Sequence, residues 1–243
     1  MQNARLNGPT DDVGLPLRSG QPCLAPGLSA AHGVRVVTIT LYGIAASRTA
    51  RPLWMLEELG VPYTRVAQPY LNQATRTAGF LALNPNGHVP VLDDDGVIVW
   101  ESMAINLYLV RKFGGPLAPA SLAEEAQALR WSFWVVTECE RDALAMLFHR
   151  RLMPAARRNP ATADQAERAL ARPFAVLDSQ LSARPYLAGE RFTVADLNVA
   201  SVLAWTQAAS DLPGRHPALD RWLRACLERP AQQRVQALVD AES

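Results

Sequence analysis

The sequence predicts an α/β domain followed by an all-helical bundle. Three observations carry that prediction. Short β-branched or apolar runs, "VRVVTITLYG", "VPYTRVA", "VPVL" and "VIVW", are confined to the stretch before residue 101. The last two flank "DDDG", an Asp-Gly turn that reads as a tight antiparallel hairpin. Beyond "PLAPA", Pro116 to Ala120, such runs vanish and Ala, Leu, Arg and Glu dominate. No internal repeat is found.

Taken in order, residues 1–33 are rich in Gly, Pro and small polar residues and read as a disordered extension. They hold no apolar core for a secretion signal, and Asp11 and Asp12 count against a transit peptide. Val34 to Gly43 reads as a buried parallel strand. A helix over "TARPLWMLEEL" follows. Pro52 is tolerable only in its first turn, which places the cap near Thr49, and Gly60 ends it. "VPYTRVA" gives a second strand, and "LNQATRTAGFLALNPNG" reads as loop with one irregular helical turn. After the hairpin, "SMAINLYLVRKFGG" is amphipathic and stops at Gly114-Gly115. The first domain therefore spans residues 34–115, a linker 116–120, and the helical domain 121–243.

In that second domain, Ser121 with Glu124 forms a capping box opening a long helix that ends before Pro154. Thr162 with Gln165 opens another, reaching about Ala183 and kinked at Pro173. "ERFTVADLNVASVLAW" is the most informative helix start. Thr193 caps it, Asp196 returns the bond, and Phe192 and Leu197 form a hydrophobic staple. Pro217 suits the first turn of a helix that closes before Pro230.

Composition narrows the partners. The chain has 243 residues, 49% of them hydrophobic, and a formal net charge of +1. Nucleic acid or an anionic membrane would call for a concentrated basic surface, so neither is expected as the main partner. Cys23, Cys139 and Cys226 lie far apart without paired spacing, which suggests neither a disulfide framework nor a metal site. A reducing, cytoplasmic setting is the default, and no apolar run approaches the roughly 20 residues of a membrane span.

Two short stretches point to a ligand. In "NPNGHVPVL", Pro90 gives up a ladder donor at the mouth of a strand, and Val89-Pro90 is a candidate cis peptide. The Val89 N–H and C=O would then face outward at a sheet edge, where an extended peptide can pair with them. In "WESMAINLYL", Glu101 and Ser102 fall at the first turn of a helix, a spot that attracts a carboxylate. Ser102 adds a hydroxyl donor and Glu101 an acceptor for an ammonium. Together they match the α-amino and α-carboxylate groups of one amino acid.

The segments "LYGIAASRTARPLWMLEELGVPY", "NPNGHVPVL", "WESMAINLYL" and "AGERFTVADLNVA", in that order and spacing, resemble the cytosolic glutathione transferase superfamily over about Val36 to Pro230. The resemblance implies a thioredoxin-like domain followed by an all-helical domain, and glutathione as co-substrate with no metal. It implies that Val89 pairs with the cysteinyl backbone of glutathione beside cis-Pro90, and that Glu101 and Ser102 hold the γ-glutamyl end. It further implies a cytoplasmic homodimer that activates the glutathione thiolate against an electrophilic, apolar small molecule. The Thr193 to Asp196 box becomes a folding element.

A thiol of pKa about 8.5 must be held as its anion to react near neutral pH. The loop "YGIAASRT" offers a helix N-terminus and hydroxyl donors for that task. Tyr42 and Ser47 are both candidates. Ser47 is preferred because it lies closer to the helix start, while Tyr42 matches the position of the tyrosine-type classes. Thr49 is explained by capping. Arg48 or Arg51 could add positive potential near the sulfur or the glycine carboxylate, or simply face solvent. His88 stands where similar proteins often carry Lys or Gln, and its imidazole can donate to the glycine carboxylate. Trp131, Trp134, Phe148 and His149 lie on the helix that lines the acceptor site in similar proteins. The loop lacks a cysteine, which disfavours thiol–disulfide exchange and leaves thiolate addition, substitution or peroxide reduction. A non-catalytic binding or scaffold module is the rival reading, although a scaffold needs none of Val-Pro, Glu-Ser or a loop hydroxyl.

Overall fold

A computed structural model describes residues 39–71 and 73–242. Residues 1–33, expected as a disordered extension, and the first part of the expected opening strand lie outside the described residues. The described residues form one compact unit.

The first half is a four-stranded mixed sheet in the order β2-β1-β3-β4. β1 (Ile39–Tyr42) runs parallel to β2 (Thr64–Val66) and antiparallel to β3 (Val91–Asp94), which pairs with β4 (Val97–Trp100) through the Asp95-Gly96 turn. Register sets Tyr42 opposite Val91 and Val91 opposite Trp100. Ile39 and Leu41 alternate into the core, where they join Leu53, Met55 and Leu56 of α1 (Ala50–Leu59) and Ile105 and Leu109 of α3 (Ser102–Phe113). Tyr42 therefore projects to the opposite face of the sheet.

Pro52 falls in the first turn of α1, as its chemistry requires, and α1 ends at Gly60. The expected irregular turn before "NPNG" is instead a defined helix, α2 (Ala78–Leu83), capped by Thr77, which accepts from the Phe80 N–H. A threonine cap on so short an apolar segment is easily missed, because six residues show too little periodicity.

Six helices follow: α4 (Leu122–Glu138), α5 (Glu140–Leu147), α6 (Pro160–Ala183), α7 (Val194–Ala209), α8 (Pro217–Leu227) and α9 (Pro230–Ala241). The expected single helix after Ser121 is broken at Cys139, whose φ of −123° leaves the helical range. No Pro or Gly marks that break; it turns Glu140 onto Arg48 and Arg51, a long-range contact the local sequence does not announce. The cap of α6 is Asn159, which accepts from the Ala161 and Thr162 N–H groups, rather than Thr162. Pro160 at its first position makes that assignment natural. α9 was not anticipated; it opens at Pro230 and packs against α1, with Arg229 on Glu58 and Arg234 on Glu57. The Thr193 box at the start of α7 closes as expected, the Thr193 N–H donating to Asp196 Oδ2 at 2.9 Å.

Candidate active site

The loop from β1 to α1 is built around a close approach. Gly43 has φ +140°, and a Cβ there would lie 2.0 Å from Thr49 Oγ1. Only glycine lets the strand end fold back onto the helix start. Four residues beyond Gly43, Ser47 is extended, at φ −152° and ψ −171°, and its Oγ accepts the Thr49 N–H at 3.1 Å. Ser47 thus does the capping expected of Thr49. The Ser47 hydroxyl lies 2.7 Å from the Ile44 carbonyl and 2.9 Å from Thr49 Oγ1. Its single proton can serve one of them at a time, and accepting a backbone N–H makes the hydroxyl a better donor.

The second wall is the loop before β3. Asn84 is buried and organises it: Nδ2 donates to the His88 carbonyl at 2.8 Å, and Oδ1 accepts the Asn86 N–H at 3.0 Å. Gly87 has φ +62°, and a Cβ would meet Arg76 Nη1 at 2.8 Å and the Thr75 carbonyl at 3.1 Å. Gly87→Ala is therefore expected to cost about 2 kcal/mol or more, read as a lower urea midpoint with unchanged slope. His88 is exposed, Val89 half-buried and Pro90 buried, and the Val89-Pro90 peptide is cis.

Here the structure corrects an expectation. β3 is an interior strand, paired on both sides, so Pro90 does not sit on a sheet edge. It sits just before the ladder begins at Val91. Among the described residues, the Val89 N–H and C=O have no main-chain partner. That main chain lacks a backbone partner because the ladder has not started.

The third wall is the start of α3. Glu101 holds φ +74° and ψ +115°, a conformation that costs a non-glycine residue of order 1–3 kcal/mol. That turn leaves the Glu101 side chain exposed and puts Ser102 at the first position of the helix. Ser102 is 4% exposed, and its Oγ accepts from Arg51 Nη1 at 3.1 Å. Arg51 is 2% exposed, which removes the solvent-facing alternative for it. Its Nη1 also reaches Glu140 Oε2 at 3.3 Å, and its guanidinium stacks 4.8 Å from the Trp205 ring. Nη2 lies 3.2 Å from Glu140 Oε1 as an ion pair without hydrogen-bond alignment. Arg48, half-exposed, donates through Nε to the same Glu140 carboxylate. Burial opposes ionisation of Glu140, but the guanidiniums of Arg51 and Arg48 outweigh it and hold the carboxyl below its ordinary range. Arg48 is thus paired with Glu140.

Sequence reasoning missed Glu140, which had no local motif to reveal it. It also missed Glu242, whose carboxylate accepts the Ala45 N–H and pairs with Arg65. Of the acceptor-site aromatics, Trp131 is core and stacks edge-on with Trp134 at 5.2 Å, while Phe148 is exposed. The Nδ1 of His149 accepts the Asn159 N–H, which occupies the ring in holding the start of α6. Cys139 and Cys226 are buried thiols whose pKa values burial pushes up, so neither is a poised nucleophile. Among the described residues no cluster of His, Cys, Asp or Glu could hold a metal ion, and no helix is long and apolar enough to cross a membrane.

Comparison with known proteins is consistent with this geometry. Residues 37–111 match the family described as glutathione S-transferase, N-terminal domain, and residues 141–230 the C-terminal domain. Glutathione S-transferase GstB of Escherichia coli K12 is 32% identical over 209 residues, 81% of this chain and 97% of that protein. The chain belongs to the glutathione S-transferase superfamily. Among solved structures, the theta class glutathione S-transferase of Xanthomonas axonopodis pv. citri with glutathione bound superposes at TM-score 0.72 and 33% identity, covering 81% of this chain and 95% of that one. Maize glutathione S-transferase I in complex with an atrazine glutathione conjugate gives TM-score 0.78 and 27% identity, covering 84% and 99%. The family fold, a thioredoxin-like sheet domain followed by helices, is the one described above.

Proposed function

We propose that this superfamily member is an active glutathione transferase. Glutathione lies extended beside Val89, its cysteinyl backbone pairing with the Val89 N–H and C=O next to Pro90. The γ-glutamyl carboxylate takes the Ser102 hydroxyl and the N-terminus of α3, and the γ-glutamyl ammonium takes the Glu101 carboxylate. His88, at the exposed end of the same loop, donates to the glycine carboxylate. Ser47 turns its proton from the Ile44 carbonyl to the sulfur and, with the N-terminus of α1, holds the thiolate. The thiolate attacks an electrophilic carbon of an apolar small molecule. A carbon–sulfur bond forms, the leaving group departs with its electron pair, and the thiol proton has already passed to solvent.

The observation that carries this reading is the Val89 main chain, without a backbone partner among the described residues, at the sheet end where Tyr42, Val91 and Trp100 lie in register and from which the chain runs on to Ser47 and Ser102, in a member of a family whose relatives bear the transferase name. The orientation of Tyr42 toward the opposite sheet face from Leu41 supports Ser47 as the activating hydroxyl. The absence of a loop cysteine favours conjugation over thiol exchange. Leu122, Leu129 and Phe133 of α4, at 82%, 41% and 65% exposure and near-helical spacing, support a homodimer. The proposed setting is the cytoplasm, with detoxification of electrophiles as the role.

The test is retention on immobilised glutathione followed by conjugation of a chromogenic aryl halide. Retention with turnover is expected. Failure of the wild type to be retained rejects the reading, and retention without turnover on any electrophile favours a binding module.

A further inference from the structure

The proposed site leaves one unusual group unexplained. A guanidinium buried to 2% exposure is costly unless something uses it, and Arg51 has no contact with solvent that would justify its charge. Burial lowers its pKa, yet an arginine stays charged in a protein. Its Nε has no hydrogen-bond partner among the described residues, while Nη1 is spent on Ser102 Oγ and the Glu140 carboxylate. The Ser102 hydroxyl can receive a bond from Arg51 and still donate one. A guanidinium has no acceptor, so the Ser102 proton must point elsewhere. Among the described residues it has no acceptor.

We propose that Arg51 is a positioning residue for glutathione: by donating to Ser102 Oγ it forces the Ser102 proton toward the ligand's γ-glutamyl carboxylate, and Glu140 of the helical domain fixes Arg51 in that pose. This rests on the glutathione site proposed above. The Arg51 charge also lies directly behind the hydroxyl, where it favours an anion on the far side. Glu140 offsets part of that charge, and Glu140 and Trp205 together hold the guanidinium plane. Because Glu140 begins α5 while Arg51 and Ser102 begin α1 and α3, the two domains share one hydrogen-bonded unit at the carboxylate site. Sequence alone could not distinguish this arrangement from an exposed arginine.

The test is a double-mutant cycle on glutathione affinity, measured by calorimetry on the full chain. Ser102→Ala and Arg51→Met are each expected to weaken glutathione binding about tenfold. If Arg51 acts through Ser102, the double variant also loses about tenfold, rather than the roughly hundredfold that independent losses would give. The kcat at saturating glutathione is expected to stay within about twofold for the single Arg51 variant, since the effect falls on binding. Arg51→Lys keeps the charge without the fork and supports the same cycle if the Met variant does not fold. Losses that multiply in the cycle, or an Arg51 variant that binds glutathione like wild type, overturn the inference while leaving the functional reading intact. A wild type without measurable glutathione binding overturns both.

Discussion

Ser47→Ala is expected to lower kcat/KM for conjugation about 100-fold, the scale of losing one oriented donor to a developing or resident anion. Ser47 is the residue whose Oγ accepts the Thr49 N–H while its proton lies within reach of the Ile44 carbonyl and Thr49 Oγ1. A methyl in its place leaves the thiol with the N-terminus of α1 alone. The apparent pKa of the bound thiol then rises toward the free value of about 8.5. Activity of the variant should therefore recover as pH is raised, whereas wild-type activity levels off at lower pH. Tyr42→Phe should stay within about twofold of wild type across the same range. The measurement is a pair of pH–rate profiles, with thermal melts to show that loss of the cap, about 1 kcal/mol, leaves the fold intact. If Tyr42→Phe shows the loss and the pH shift instead, the hydroxyl has been assigned to the wrong residue.

That comparison marks where the sequence was informative. Features whose cause is local were legible. The Asp-Gly hairpin, the glycine stop after α1, the Thr193 box and the placement of Pro52 in a first turn each follow from a few adjacent residues. A Val89 backbone outside the ladder was also legible, although its cause was misread. An edge strand was inferred from a proline, whereas β3 is interior and the proline merely precedes it. Features whose cause is long-range were not legible. The break at Cys139 has no Pro or Gly, and Glu140 looks like any helical acid until Arg48 and Arg51 are brought beneath it from 92 and 89 residues away. Glu101 is a similar case. No residue preference betrays a glutamate at φ +74°; the sequence showed a good helix start, and only the fold shows the strain in front of it.

The largest stability effect is expected at Asp196, and its size follows from what the carboxylate holds together. Oδ2 accepts the Thr193 N–H at 2.9 Å and lies 3.1 Å from its hydroxyl. Oδ1 accepts the Leu187 N–H at 2.9 Å and the Trp222 indole N–H at 3.0 Å. The carboxylate is fully buried, so none of these donors has water to turn to. One side chain thus ties the start of α7 to the preceding loop and to α8. Asp196→Ala removes the returning half of the capping box, worth about 1 kcal/mol, and strands two further buried N–H groups at about 1–3 kcal/mol each. A total loss of about 4 kcal/mol is expected, a large share of the 5–15 kcal/mol typical of a folded chain. Asp196→Asn should be nearly as harmful despite its matching shape. Its amide nitrogen would have to face either the Leu187 and Trp222 donors or the Thr193 N–H, a donor against a donor wherever it turns. Urea unfolding of both variants checks this. An Asn variant close to wild type would mean that the carboxylate's second oxygen is dispensable, and the four-donor account of the start of α7 would fail.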